Sequence, residues 1–159
     1  DALVRCYRRV QTERMQGIPL LNAALQVEAV GFEWSSSAED AAAVTPPVIE
    51  GVLITPWFMS LVRLPAAVES AADRVSRSFV RDFGSECFDF IGAHDAELGY
   101  HESCALFSPM DGFSSQAMAR ETAREALALA RTPAPRTVPM PARRAFLFGR
   151  GSSGGAGTA

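Results

Sequence analysis

The chain has 159 residues, of which 48% are hydrophobic and 21% charged, proportions that indicate a single globular domain and not a disordered or fibrous chain. Its formal net charge of −3 gives no long-range attraction to nucleic acid, and no apolar run reaches the roughly 18 residues of a membrane span. We therefore expect neither a nucleic-acid partner nor membrane insertion. Three cysteines without a CxxC pair argue against a disulfide scaffold or zinc ribbon and fit a reducing, cytoplasmic compartment.

Hydrophobic periodicity predicts helices near both ends of the chain and strands between them. The predicted fold class is α+β: one domain with a mostly antiparallel sheet, flanked by an N-terminal helix and a C-terminal helix, and followed by an extended C-terminal tail. In chain order we predict a helix over residues 2–16, a strand over 26–34, a loop over 35–47, two strand-like halves within 49–64, a short helix over 66–77, an edge strand over 78–83, strands over 86–92 and 100–108 joined by a loop over 94–99, and a helix over 116–131.

Two of these elements carry more detailed predictions. In the strand over 26–34, alternation places Val30, Phe32 and Trp34 on one face. In the last helix, Ser114 or Ser115 is a suitable N-cap. One face of that helix is mostly alanine, so it should lie close against the sheet.

The most apolar stretch is VLITPWFMSLVRLP, residues 52–65, in which Arg63 is the only charge. Pro56 cannot donate to a sheet ladder, so the stretch should form two strands joined by a bend at residues 55–57. The bend brings together Trp57, Phe58 and Met59. Such a cluster forms either a buried corner, which composition favours, or a docking surface that adapts to a partner.

No catalytic, metal or cofactor site is predicted. His101 and Cys104 are three residues apart, and on a strand this spacing places their side chains on opposite faces. They therefore do not suit a metal pair or a Cys/His nucleophile. No phosphate-binding glycine loop, nucleophile elbow or zinc-protease motif occurs.

The sequence after residue 132 differs in composition from the rest and indicates a second region of the chain. We place the α+β domain at residues 1–132 and a tail at 133–159, with a proline-rich linker, the segment RRAFLFGR (143–150) and a Gly/Ser-rich end. The apolar and arginine residues of RRAFLFGR leave two interpretations open. The segment is either a final strand that folds back onto the sheet edge, or a tethered segment that docks a partner.

Three separated motifs occur in a fixed order: ITPWFMSLVRLP, LGYHESCALFSPM and, after an alanine-rich helix, RRAFLFGR. In this order they resemble the HybE/HupJ family of nickel-iron hydrogenase maturation proteins over nearly the whole chain. The resemblance implies a cytoplasmic assembly chaperone, not an enzyme, that binds hydrogenase small or large subunit precursors before export. Some members of that family carry a fused rubredoxin domain. Because this chain has no CxxC pair, a separate rubredoxin-like protein or another maturation factor would be a further partner.

The resemblance also supplies a candidate partner-binding surface, without assigning each residue a role. It favours an interface role for the C-terminal segment and leaves both interpretations of Trp57 open. Two other functions remain alternatives: a redox or metal-handling accessory for small-subunit iron–sulfur clusters that uses Cys104 with His101, and a resident non-catalytic hydrogenase subunit. The family motifs supply Thr55, Pro56, Trp57, Cys104, Ser108, Pro109, Arg143, Arg144, Phe148, Gly149 and Arg150, and the residue patterns described above add Phe58, Met59 and Phe146.

Overall fold

A computed structural model describes residues 2–35, 47–68 and 70–132. Within these ranges one six-stranded sheet, with all neighbouring strands antiparallel, lies between two helices. Its strand order is β1-β2-β3-β6-β5-β4. This architecture confirms the α+β prediction. The elements are α1 (Ala2–Glu13), β1 (Glu28–Trp34), β2 (Val48–Ile54), β3 (Met59–Pro65), a 3-10 turn (Ala72–Arg74), β4 (Ser78–Phe83), β5 (Glu86–Asp95), β6 (Gly99–Phe107) and α2 (Gln116–Arg131).

The two faces of the sheet bury two hydrophobic clusters. Met59 and Leu61 of β3 point towards α2, whereas Val62, which follows Leu61, points towards α1, as strand alternation requires. The larger cluster lies under α2 and includes Phe83, Phe90 and Met110. The smaller one lies under α1 and is built around Leu3, Val27, Leu53 and Val62.

Helix α2 begins and packs as the sequence predicts. The Ser115 hydroxyl accepts a hydrogen bond from the amide of Met118, which satisfies one of the free N–H groups of the first turn. Ala119 and Ala123 are fully buried against the sheet. Near the other end of the helix, Gly84 has a φ of 65°, and a Cβ there would collide with the carbonyl oxygen of Ala130. Small residues on both sides thus allow close packing.

The prediction for β1 was wrong in its side-chain pattern. A bulge between Val30 and Glu33 interrupts the ladder with β2, and Gly31 lies within it at a φ of 61°. Val30 therefore packs under α2, Phe32 packs on the α1 side, and Trp34 is 60% exposed.

Two boundary predictions also need correction. The first helix ends at Glu13 and not near residue 16. The predicted helix over 66–77 is absent from the described part of that segment, which contains only the 3-10 turn. Most of the predicted loop over 35–47 lies outside the described residues. No helix in the described ranges is long and apolar enough to cross a membrane.

Candidate functional site

The bend predicted at Pro56 is a tight turn between β2 and β3. The Thr55 hydroxyl accepts hydrogen bonds from the amides of Trp57 and Phe58, at 3.3 and 2.9 Å, and lies 2.8 Å from the Phe58 carbonyl oxygen, to which it can donate. The Thr55 amide donates to the same carbonyl. Pro56 restricts the backbone at the start of the turn. Both Thr55 and Pro56 are fully buried, so they hold the turn and do not offer their side chains to a partner.

We predict that Thr55→Val lowers the free energy of unfolding by about 1–3 kcal/mol, because the isosteric side chain cannot pair the turn amides. Urea denaturation measures this loss. Thr12→Val is the matched control, since the exposed Thr12 hydroxyl bonds only to carbonyls of its own helix, and a change within roughly 0.5 kcal/mol is expected there. Equal losses in the two variants would contradict this role of Thr55.

The turn divides the aromatic cluster that the sequence predicts. Met59 is fully buried under α2, whereas Trp57 and Phe58 remain partly exposed. The ring centroids of Trp57 and Phe58 lie 5.6 Å apart, and those of Phe58 and Tyr7 5.7 Å apart, both edge to face. Phe58 therefore links the partly exposed indole to helix α1. Met59 therefore belongs to the core, as the buried-corner interpretation expects, whereas Trp57 and Phe58 remain accessible and their docking role stays a prediction.

Three loops meet at this end of the sheet, and Asn22 joins them. The Asn22 side-chain amide donates to the carbonyls of Met110 and Phe113, at 2.9 and 2.7 Å. Its backbone amide donates to the carbonyl of Pro56 at 2.9 Å. Residues 19–24, the Thr55–Phe58 turn and residues 108–114 are therefore fixed relative to one another. Nothing in the sequence marked Asn22, because all of these partners are distant from it in the chain.

A groove of about 540 Å³ lies between two of these loops. Pro109 lies in its wall, and the peptide bond before it is cis. Leu20 is 56% exposed beside it, and Ser108 is exposed next to Pro109. We call this groove, together with Trp57, Phe58 and Ser108, the loop-end surface. Its groove is lined by residues 19–24 and by Pro109, Asp111, Phe113 and Ser114.

Cys104 and His101 lie on opposite faces of β6, as predicted. Cys104 is half-buried on the α2 side, and burial raises the pKa of its thiol. His101 is buried under α1, where its Nε2 is 3.4 Å from the Tyr7 hydroxyl and its Nδ1 is 3.3 Å from the Gly99 carbonyl oxygen. The two residues therefore form no common site. The described ranges contain no group of three or more His, Cys, Asp or Glu side chains able to hold a metal ion.

His101 makes stability depend on pH. Burial lowers its pKa, so the folded protein resists protonating it, whereas the unfolded chain takes up a proton near the ordinary value of 6.5. The free energy of unfolding should therefore be highest above about pH 6.5 and should fall as the pH drops below that value. One titrating group can lower it by at most about 1.4 kcal/mol per pH unit. We predict that His101→Gln weakens this dependence between pH 7.5 and 5.5, as measured by chemical denaturation.

The carboxylate of Asp95 acts outside this pH window. Asp95 has its pKa lowered to about 2: partial burial opposes this shift, but hydrogen bonds from the Glu97 amide and Arg9 outweigh it. The stability that the ionised Asp95 carboxylate contributes is lost only below about pH 4. The same dependence in the His101 variant as in wild type would contradict the assignment.

A buried charge network crosses the sheet beneath α2, and sequence reasoning missed it. The sheet register aligns Glu50, Arg63 and Glu102 on adjacent strands. Arg63 lies 3.4 Å from the Glu50 carboxylate and 3.6 Å from that of Glu102. Arg81 donates two hydrogen bonds of 3.0 and 2.9 Å to the Glu102 carboxylate. The Tyr100 hydroxyl donates a third to the same carboxylate at 2.9 Å. Burial raises the pKa of Glu102, but these bonds and the arginine charges outweigh it, so the net pKa is lowered.

The structure thus places part of the candidate surface together. Pairing of Met59 with Phe107 puts the Thr55–Phe58 turn and Ser108–Pro109 at the same end of the sheet. Cys104 lies apart from them, within β6. Six candidates lie outside the described residues: Arg143, Arg144, Phe146, Phe148, Gly149 and Arg150.

Comparison with known proteins decides the family. A family model described as NiFe-hydrogenase assembly, chaperone, HybE matches residues 1–149. The chain belongs to the HybE family of hydrogenase assembly chaperones. It is 45% identical to protein HoxT of Cupriavidus necator over 152 residues, which cover 89% of this chain and 83% of HoxT. It is 35% identical to the hydrogenase expression/formation protein HupJ of Bradyrhizobium diazoefficiens, with 94% and 86% of the two chains covered.

Two further matches concern the fold of the chain and a longer relative. The solution structure of HybE from Escherichia coli superposes with a TM-score of 0.57 at 20% identity, covering 96% of this chain and 90% of that one. This match shows that the two proteins share a fold. A probable rubredoxin HupJ of Rhodobacter capsulatus is 34% identical over 125 residues, which are 78% of this chain but only 41% of that protein. The HybE-family assignment and the hydrogenase-formation relatives together support a role in hydrogenase maturation.

Proposed function

We propose that this protein is a cytoplasmic chaperone without catalytic activity, and that its loop-end surface binds a hydrogenase subunit precursor. The observation that carries the proposal is the partly exposed Trp57, held on a turn that the buried Thr55 and Pro56 fix in place. The residue before Trp57, Pro56, accepts a hydrogen bond from the Asn22 amide, and Asn22 lines the groove between residues 19–24 and 109–114. An accessible indole on a rigid scaffold is a typical anchor of protein interfaces, because it buries a large apolar area at low cost in conformational entropy.

The groove chemistry suits an apolar segment of a partner that is not yet fully folded. Leu20, Pro109 and Phe113 supply apolar wall, while Asp111 and Ser114 supply polar groups at which a partner backbone can form hydrogen bonds. A precursor exposes apolar surface that the mature subunit buries. Release then follows when the precursor folds, because its apolar segment is withdrawn from the groove.

Capture of tagged protein from cells that make the hydrogenase, at low and high oxygen, tests this function. Mass spectrometry should find a hydrogenase subunit that retains its signal peptide or C-terminal extension. A rubredoxin-like protein or another maturation factor in the same eluate would identify the further partners that we propose. Recovery of mature enzyme alone would instead indicate a resident subunit, and recovery of no hydrogenase polypeptide would contradict the proposal.

A further inference from the structure

One face of the β4–β5 hairpin is exposed. Phe83 and Phe90 of these strands point under α2, so the residues that alternate with them along β4 and β5 point to the opposite, α1 side of the sheet. On that side Val80 is 65% exposed and Ile91 is 55% exposed. The six residues of this face pair directly across the two strands: Ser78 with Ile91, Val80 with Asp89, and Asp82 with Cys87. We call them the hairpin face.

The hairpin face combines apolar and acidic side chains. Val80 and Ile91 supply the apolar area, and Asp82 and Asp89 supply two carboxylates. None of its six residues is basic. Two exposed β-branched side chains at diagonal positions on a sheet are an attractive site for an apolar side chain, and the carboxylates favour a ligand that also carries positive charge.

The described chain ends beside this hairpin. The Ser85 amide, in the turn between β4 and β5, donates to the carbonyl of Ala130 at 2.7 Å, and the Ser85 hydroxyl bonds to the carbonyls of Ala130 and Thr132. Ten residues, 133–142, separate Thr132 from RRAFLFGR. Ten residues span at most about 35 Å, which is roughly the length of a ten-residue strand such as β5. The segment can therefore reach every part of the hairpin face.

We propose that the hairpin face is the docking surface for residues 143–150 of the same chain. The sequence RRAFLFGR offers the complementary chemistry: arginines for the carboxylates of Asp82 and Asp89, and phenylalanines for Val80 and Ile91. Spacing of two between Phe146 and Phe148 places both on one side of an extended segment. Tethering through ten residues gives an effective concentration in the millimolar range, so even weak contacts keep the face occupied. This inference does not depend on which precursor the loop-end surface binds.

The exposed Cys87 on the hairpin face provides a probe. We expect its alkylation by iodoacetamide, followed by peptide mass spectrometry, to be roughly tenfold faster after truncation behind Pro141 than in the full chain. Cys104, which faces the α2 side, is the internal control and should label at the same rate in both. Adding a synthetic RRAFLFGR peptide to the truncated chain should slow Cys87 labelling again.

Point variants of the full chain test the charge contribution. Arg143→Glu with Arg144→Glu should accelerate Cys87 labelling towards the truncated rate, whereas Arg136→Glu in the preceding linker should leave it unchanged. Equal Cys87 rates in the full and truncated chains would overturn the proposal. Slow labelling of the truncated chain that depends on protein concentration would also overturn it, because a second copy would then cover the face.

Discussion

Replacing Arg63 with methionine should lower the free energy of unfolding by about 3–5 kcal/mol, the cost of removing one partner from a buried ion pair. Arg63 is 4% exposed and lies between the carboxylates of Glu50 and Glu102, which are 2% and 5% exposed. Together with Arg81, these residues carry two positive and two negative charges. Methionine fills much of the same volume but leaves the buried network with an excess negative charge, which an apolar environment solvates poorly.

Urea denaturation at pH 7 measures the loss caused by the Arg63 substitution. Arg120→Met is the matched control, because Arg120 also pairs with a carboxylate, that of Glu28, but keeps 40% of its side chain exposed. Removing such an exposed pair should cost less than about 1 kcal/mol. A second substitution, Glu50→Gln, should recover part of the loss in the Arg63 variant, because it removes the excess charge. If Arg63→Met and Arg120→Met cost the same, the network does not stabilise the fold as described.

Replacing Trp57 with alanine should weaken binding of a purified hydrogenase precursor by about 30-fold, which corresponds to the roughly 2 kcal/mol typical of an interface anchor. Trp57 combines accessibility with a fixed position, since buried Thr55 holds its turn and Phe58 packs against its ring. The variant should keep most of its stability because the indole is only partly buried. Titration of the precursor by fluorescence anisotropy or calorimetry gives the affinity.

Trp34 supplies the control for Trp57. It is the other tryptophan of the chain, lies on edge strand β1 and is 60% exposed, so Trp34→Ala removes an indole away from the loop-end surface. Its precursor affinity should stay within about twofold of wild type. Equal weakening by both variants would mean that binding follows exposed tryptophan in general and not this surface.

Local rules predicted much of the fold. Pro56 had to break the apolar stretch because proline lacks an amide donor, and the structure has its turn there. The alanine face and the Ser115 cap defined α2 correctly, because both signals lie within the helix itself. Alternation along β6 correctly separated His101 from Cys104. In each case the physical cause acts over a few residues of sequence.

The features that the sequence did not reveal depend on contacts between distant residues. The bulge at Gly31 places Phe32 and Trp34 on the face opposite to the one that simple alternation from Val30 predicts. A single glycine in a strand is not enough to predict a bulge. Asn22 is an ordinary loop residue until its carbonyl partners in residues 108–114 are brought beside it. Likewise, Glu50, Arg63 and Glu102 form a network only once the register of three strands is known.

Hydrogen exchange of the chaperone with and without its bound precursor tests the central claim most directly. Binding at the loop-end surface predicts slower amide exchange in residues 19–24, 55–58 and 108–114, with little change along the outer face of α2. These loops carry amides that the precursor would shield from solvent. Unchanged exchange in all three loops, with protection elsewhere on the described chain, would contradict the claim that this end of the sheet holds the precursor.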